Sequence, residues 1–199
     1  RDSLIQRAAV LDPDTLERLY PTHFSTRRAL GFRREKRAVE ASEERFFGEL
    51  VLERKVVPAP RDAATAAMLA DGIRQLGLAV LPWSEGMREW QARVEALRTW
   101  CPELGLPDCS DGGLLDSIET WLTPFVVGKW RLSDLDAEAL GEALRSRLDY
   151  TQRKQVDEHA PRELTVPSGM TRALSYQGDA PVLAVKLQEL FGLADTPRV

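Results

Sequence analysis

An α+β fold is predicted by the way hydrophobic period changes along the chain. Two-residue alternation runs from Thr26 to Val57, three-and-four spacing from Asp62 to His159, and short strand-like stretches follow Pro161. Punctuation agrees with period: Pro58-Ala59-Pro60 and Pro161 fall at the two changes, and proline fixes φ while removing a backbone donor. The expected organisation is residues 1–60 as a lead-in helix and small antiparallel β module, 61–160 as a helical domain, and 161–199 as strands plus a helix. At 199 residues, 43% of them apolar, the chain can bury one large core or two to three small ones.

Taken in order, Asp12-Pro13-Asp14 opens a short helix carrying Leu16, Leu19 and Tyr20 on one side, and Pro21 ends it. The β-type runs RRALGFRR, RAVEASEERF and ELVLERKVV then read as a meander. In the last run Leu50 and Leu52 alternate with Val51 and Glu53, which predicts a half-buried strand. Asp62 caps an Ala-rich helix with Ala66, Leu69, Ala70, Ile73 and Leu76 on one face, stopped by Gly77. Ser84 caps the next, where Met87, Trp90, Val94, Leu97 and Cys101 form the strongest periodic stripe in the chain. A third helix is expected after Asp111, with Leu114, Leu115, Ile118, Trp121 and Leu122, bent or ended by Pro124. Ser133-x-x-Asp136 resembles a capping box for a fourth, and a fifth spans Gln152 to His159. Beyond it, ELTV and TRALSY flank Pro167-Ser168-Gly169. A last helix is expected near Asp179, with Leu183, Leu187, Leu190 and Phe191 inward and Gly192 as its stop.

Charge narrows the choice of partners. The formal net charge of −4 argues against a surface that is basic all over, because nucleic-acid affinity is dominated by phosphate neutralisation. Between Thr22 and Arg37, however, Arg27, Arg28, Arg33, Arg34, Lys36 and Arg37 face a single acid, Glu35. Two readings of this run stand side by side. The cations contact phosphates with Phe32 as a stacking or core contact, or they guard a solvated edge strand against aggregation. No apolar run approaches the roughly 18 to 20 residues of a membrane span, and Arg1, Asp2, Ser3, Leu4, Ile5 and Gln6 form no signal-peptide core, so a cytoplasmic location without membrane contact is expected. Cys101 and Cys109 fit no zinc or redox spacing and read as structural thiols.

Other constellations yield no catalytic centre. Asp157-Glu158-His159-Ala160 is an anagram of an Asp-Glu-Ala-His box but closes a charged helix, with no hydrophobic strand before it, and reads as solvated. His23 and His159 have no nucleophile beside them. Asp108, Asp111 and Asp116 lack calcium-loop spacing and serve as turn and cap residues. Trp83, Trp90, Trp100, Trp121 and Trp130 fall mostly on or just past apolar helix stripes, where burial explains them better than base stacking. No phosphate loop occurs: the Gly128-Lys129 pair is followed by Trp130, with no glycine five positions ahead.

Leu164 to Val199, LTVPSGMTRALSYQGDAPVLAVKLQELFGLADTPRV, combines a Pro-Ser-Gly turn, a strand ending in Tyr176 and a Gln-Glu-Leu-Phe-Gly-Leu stretch. This block resembles the C-terminal region of the bacterial HrpB family of DEAH-box ATP-dependent RNA helicases. The resemblance extends to RRALGF with RFFGELVLERK, to GLAVLPW from Gly77 to Trp83, and to WLTPFVVG from Trp121 to Gly128. It implies a region that follows two RecA-like ATPase domains, an OB-like character for the β module, and a truncated C-terminal β/α domain that continues beyond Val199. Met170 and Thr171 stand where the family often has a basic residue shortly after the Pro-Ser-Gly turn, with Arg172 next. ATP and magnesium would belong to ATPase domains outside this chain, which itself carries no cofactor, metal or catalytic residue. The implied function is an accessory region with sequence-independent RNA phosphate contacts, partnered by RNA and the parent's RecA-like domains. The alternative is a protein–protein interaction module with little RNA contact.

Overall fold

The meander expected near the N-terminus forms the first sheet of the computed structural model, which describes Val10 and residues 12–192. It is preceded by α1 (Pro13–Leu19), whose first turn is closed by Asp12 accepting from the Thr15 amide at 3.1 Å, and by a 3-10 turn at Pro21–His23. Strands β1 (Phe24–Arg33), β2 (Ala38–Phe47) and β3 (Leu50–Val57) pair antiparallel in the order β1-β2-β3. A register shift between Arg45 and Phe46 bulges the β2–β3 pair. A full OB barrel has five strands; the described residues of this module supply three.

The sheet docks on the helices through the turn-proximal parts of β1 and β2. Val39 and Ala41 of β2 are buried, opposite Phe32 and Leu30 of β1. The Phe32 ring fits against α2 (Ala63–Leu76) only because residue 72 is glycine: a Cβ there would lie 2.4 Å from the ring. Strand β3 departs from the expected half-burial. Every residue from Leu50 to Val56 is exposed, since nothing among the described residues packs over either of its faces.

The helical region follows its caps. Asp62 accepts from the Thr65 amide at 2.9 Å, and Gly77, at φ +84°, takes the conformation that lets α2 stop. In α3 (Glu85–Trp100) the stripe is as expected, with Trp90, Val94 and Leu97 buried. The third helix is instead two short ones, α4 (Asp111–Asp116) and α5 (Ile118–Trp121), and α4 is capped by Ser110. The Ser117 hydroxyl bonds back to the Gly113 carbonyl at the break, the kind of local competition that disrupts helices. For α6 (Ala137–Arg145) the cap is Asp136, which accepts from the Ala139 amide at 2.6 Å; Ser133 sits in a preceding 3-10 turn, so the expected capping box is displaced. Helix α7 (Tyr150–His159) starts two residues earlier than expected, on a capping box between Asp149 and Gln152.

The second sheet comprises β4 (Glu163–Thr165), β5 (Thr171–Ser175) and β6 (Val182–Leu183), antiparallel in that order. The helix expected over Leu183–Phe191 is not formed. Leu183 pairs with Leu174 in the sheet, and only a 3-10 turn at Leu187–Leu190 follows. One cluster of buried side chains runs from Val39 through Leu69, Ile73, Leu97, Trp121 and Leu144 to Tyr176, so sheet, helices and second sheet share a core. Each such side chain contributes about 1.5–3 kcal/mol on burial. Trp121 and Trp83 donate their indole N–H to the carbonyls of Leu114 and Leu78, at 2.9 and 2.8 Å, and so serve as core residues. Trp100 is exposed beside Tyr176.

Candidate nucleic-acid interface

The six basic residues singled out in the sequence all lie on β1 and the tight turn to β2, and all are exposed. Pairing with β2 divides them. The antiparallel register sets Arg28 opposite Glu43, and its Nε donates to that carboxylate at 3.1 Å. Arg33 donates to Glu40 at 3.2 Å, and Lys36 completes the same cluster on the other Glu40 oxygen. The Lys36 hydrogen bond, with a further contribution from Arg33, holds the Glu40 carboxyl below its ordinary pKa. Arg27 places its guanidinium 4.7 Å from the centre of the Phe46 ring. Arg34 and Arg37 occupy the turn itself and have no carboxylate partner among the described residues.

The turn is fixed from beneath. Arg37 adopts φ +49°, uncommon for a residue with a side chain, and its carbonyl accepts from the Leu132 amide at 3.0 Å. The Val39 amide donates to the Trp130 carbonyl at 2.7 Å, and Ala38 bridges Arg131. This seam brings in a cation that the sequence reading missed. Arg131 lies over the Trp130 ring, 3.8 Å from its centre, beside Arg37 and Ala38. No local pattern reveals it, because the two segments meet only through the bridge. The result is an exposed basic turn of Arg34, Lys36, Arg37 and Arg131, an arrangement that offers donors to a string of phosphates without a pocket for any one base.

An aromatic group marks the other end of the sheet. The Phe47 ring lies 5.3 to 6.3 Å by ring centres from those of Tyr20, His23 and Phe24, Tyr20 and His23 are 5.8 Å apart, and the Arg45 guanidinium sits 5.1 Å from the centre of Phe24. Arg45 also pairs with Glu17, which fastens α1 to the sheet.

The remaining candidates fall into structural roles. Asp157 is a surface residue at the end of α7, bound to Arg93 at 2.8 Å. Asp108 accepts from the Ser110 amide, and Asp111 from Gln91 and Arg88. The Gln91 hydrogen bond, with Arg88 behind it, keeps the Asp111 carboxyl below its ordinary range. Cys109 is buried, which pushes its thiol up to about 11, and no disulfide links it to Cys101. Among the described residues no three His, Cys, Asp or Glu side chains are grouped to hold a metal ion, and no helix is long and apolar enough to cross a membrane. Arg172, in the C-terminal block, is engaged by a two-pronged pair with Glu189, joining the strand after the Pro-Ser-Gly turn to the Gln-Glu-Leu turn. That occupancy leaves it poorly placed for phosphate.

Comparison with known proteins gives this arrangement its class. Residues 121–199 match the family model HrpB_C, described as "ATP-dependent helicase C-terminal". With the α+β architecture, that match makes residues 121–199 similar to the C-terminal region of an ATP-dependent helicase. The similarity is to the HrpB type: over 154 residues the chain is 33% identical to "ATP-dependent RNA helicase HrpB" of Escherichia coli strain K12, a match covering 77% of this chain and 19% of the relative. Two crystal structures of the E. coli HrpB protein agree. One, a "DExH-box NTPase HrpB", superposes with a TM-score of 0.68 at 29% identity over 96% of this chain; the other, a "DEAH/RHA helicase HrpB", with 0.68 at 27% over all of it. In each case the chain covers 24% of the solved protein. It therefore spans about a fifth of the curated relative and a quarter of the solved chains.

Proposed function

We propose that this region adds sequence-independent phosphate contacts to an ATP-dependent RNA helicase, made by the basic turn between β1 and β2. Arg34 and Arg37, with Arg131 beside them, supply the contacts, while Arg27, Arg28, Arg33 and Lys36 contribute positive potential from positions already engaged by Phe46, Glu43 and Glu40. The observation that carries this reading is the pair of turn arginines left without a carboxylate among the described residues on a chain that is acidic overall. ATP and magnesium chemistry would reside in RecA-like domains elsewhere in the parent, against which this region packs, in the cytoplasm. The test is binding of the 199-residue chain to single-stranded RNAs of different sequence. Arg34→Gln with Arg37→Gln should weaken all of them to the same degree, and unchanged affinities would defeat the proposal.

A protein-docking role is favoured by a separate observation. Strand β3 is a sheet edge with Leu50 66% and Val56 71% exposed, and open apolar edges are ordinarily covered or guarded. In that reading β3 meets the parent's own domains or another protein, and RNA contact is minor.

A further inference from the structure

Helix α3 carries a second stripe besides its apolar one. Glu85, Glu89, Ala92, Ala96 and Trp100 recur at spacings of three and four, so they share a face that is not the one burying Trp90, Val94 and Leu97. Opposite this stripe lie the end of β5 and the segment leading to β6. Two cavities separate the walls. The first, about 250 Å³, is lined by Glu85, Glu89 and Arg93 of α3 and by Arg162 and Ser175 across from them; the second, about 520 Å³, by Ala96 and Trp100 facing Asp179. Ala92, Tyr176 and Gln177 line both, which makes one continuous groove. At the helical rise its length from Glu85 to Trp100 is about 22 Å, the span of about seven residues of extended chain.

The polar groups of this groove are only partly answered within the chain. Glu85, Glu89 and Asp179 make no ion pair or side-chain hydrogen bond among the described residues, whereas Glu95 is held by Arg98 and the Cys109 amide. Against these three carboxylates stands Arg162, which also forms no ion pair among the described residues. Arg93 is 3% exposed, pairs with Asp157 of α7 and donates to two carbonyls, yet its Nη1 is buried with no hydrogen-bond partner. A buried donor without an acceptor is rare in a native fold. At the other end Trp100 is exposed, while Tyr176, 6.2 Å away by ring centres, is buried and fixed by its hydroxyl donating to the Pro161 carbonyl at 2.8 Å.

A ligand that completes the groove brings a cation to Glu85 and Glu89, an acceptor to Arg93 and an apolar group to Trp100. RNA offers acceptors and rings, but its phosphates would meet three uncommitted carboxylates. A polyamine offers charge without an acceptor. An extended peptide offers all three, with backbone carbonyls for Arg93 and Arg162.

We propose that the groove between α3 and the β5–β6 segment docks an extended segment of a partner protein, with Lys or Arg side chains at Glu85 and Glu89 and an apolar side chain against Trp100. The site is separate from the basic turn and from the β3 edge. The experiment is an NMR titration of the ¹⁵N-labelled 199-residue chain with the capped heptapeptide Lys-Lys-Ala-Ser-Ala-Leu-Phe, against a control with Glu-Glu in place of Lys-Lys, each also made in reverse order to sample both chain directions. One of the Lys peptides should move the Glu89 and Ala92 amides and the Trp100 indole N–H along a saturating curve, and its Glu counterpart should bind at least about fivefold more weakly. Glu85→Gln with Glu89→Gln should weaken the Lys peptide by about fivefold and Trp100→Ala by about tenfold, while Arg34→Gln with Arg37→Gln should leave it unchanged. Absence of a saturating shift with both Lys peptides, equal affinity for the Glu peptide, or unchanged affinity in the two groove variants overturns the proposal. The same signals moved by a single-stranded RNA oligomer and not by the Lys peptides would overturn it in favour of nucleic acid.

Discussion

Replacing Arg93 with methionine isolates a strut that joins two helices far apart in sequence. Its Nε reaches the Ala160 carbonyl at 2.6 Å and its Nη2 the Val156 carbonyl at 3.3 Å, tying α3 to the end of α7, while Asp157 holds the outer side at 2.8 Å. Val156 and Ala160 are themselves buried, so methionine fills the volume but leaves two carbonyls with fewer donors. Hydrogen bonds to a charged donor contribute about 1.5–3 kcal/mol each, and relief of the buried charge offsets part of that, which leaves a net loss of about 2–4 kcal/mol. Asp157→Asn should cost less than about 1 kcal/mol, because the carboxylate is largely in solvent. Urea unfolding followed by tryptophan fluorescence reads both. With a slope of about 2 kcal/mol per molar, Arg93→Met should lower the midpoint by roughly 1–2 M. Equal losses for the two variants, or none for Arg93→Met, would refute the reasoning that the carbonyl contacts dominate.

Other expectations are simpler. The 199-residue chain should show no ATP turnover, since no phosphate loop occurs in its sequence; nucleotide-dependent hydrolysis by a pure preparation would contradict this. Cys101 should react with a thiol reagent at pH 8 well before Cys109, whose thiol is pushed up to about 11 by burial; equal rates would show that Cys109 is accessible. Asp108, Asp111 and Asp136 are all held below their ordinary value of 3.8, so the stability they contribute is fully present above that pH and is lost as pH falls through their lower folded values. Urea midpoints should therefore drop below pH 4, and less steeply in Asp111→Asn.

Caps and stripes made the helical region readable from sequence. Asp62, Gly77 and Ser84 act where their types predict, because a capping bond is settled within three or four residues. The misreadings arose where two local signals competed. Ser133 and Asp136 both fit a cap, and the choice fell to Asp136 because Leu132–Asp134 is taken up in a 3-10 turn. Leu183, Leu187, Leu190 and Phe191 have helical spacing, but Val182 and Leu183 pair with β5, and only Leu187–Leu190 winds into a 3-10 turn. Strand β3 alternates as a half-buried strand should, yet burial depends on a neighbour that its own sequence does not specify.

The candidate interface was legible only as a charge run. Which cations are free was decided by register, since Glu43 and Glu40 reach Arg28 and Arg33 across the hairpin. Arg131 arrives from the segment between α5 and α6, through the backbone seam with Arg37, Ala38 and Val39. Arg93 did leave a trace, as a guanidinium three residues after Trp90 and four before Leu97, within an otherwise apolar stripe.

The most direct test of the RNA-contact reading is the slope of log affinity against log salt for single-stranded RNA, measured on the 199-residue chain and on Arg34→Gln with Arg37→Gln. Each phosphate contact on a single strand contributes about −0.7 to that slope, so losing two should flatten it by roughly 1.4. Flattening of that size, the same for RNAs of unrelated sequence, is the expected result. An unchanged slope would contradict the account and leave the open edge of β3, with its exposed Leu50 and Val56, as the functional surface.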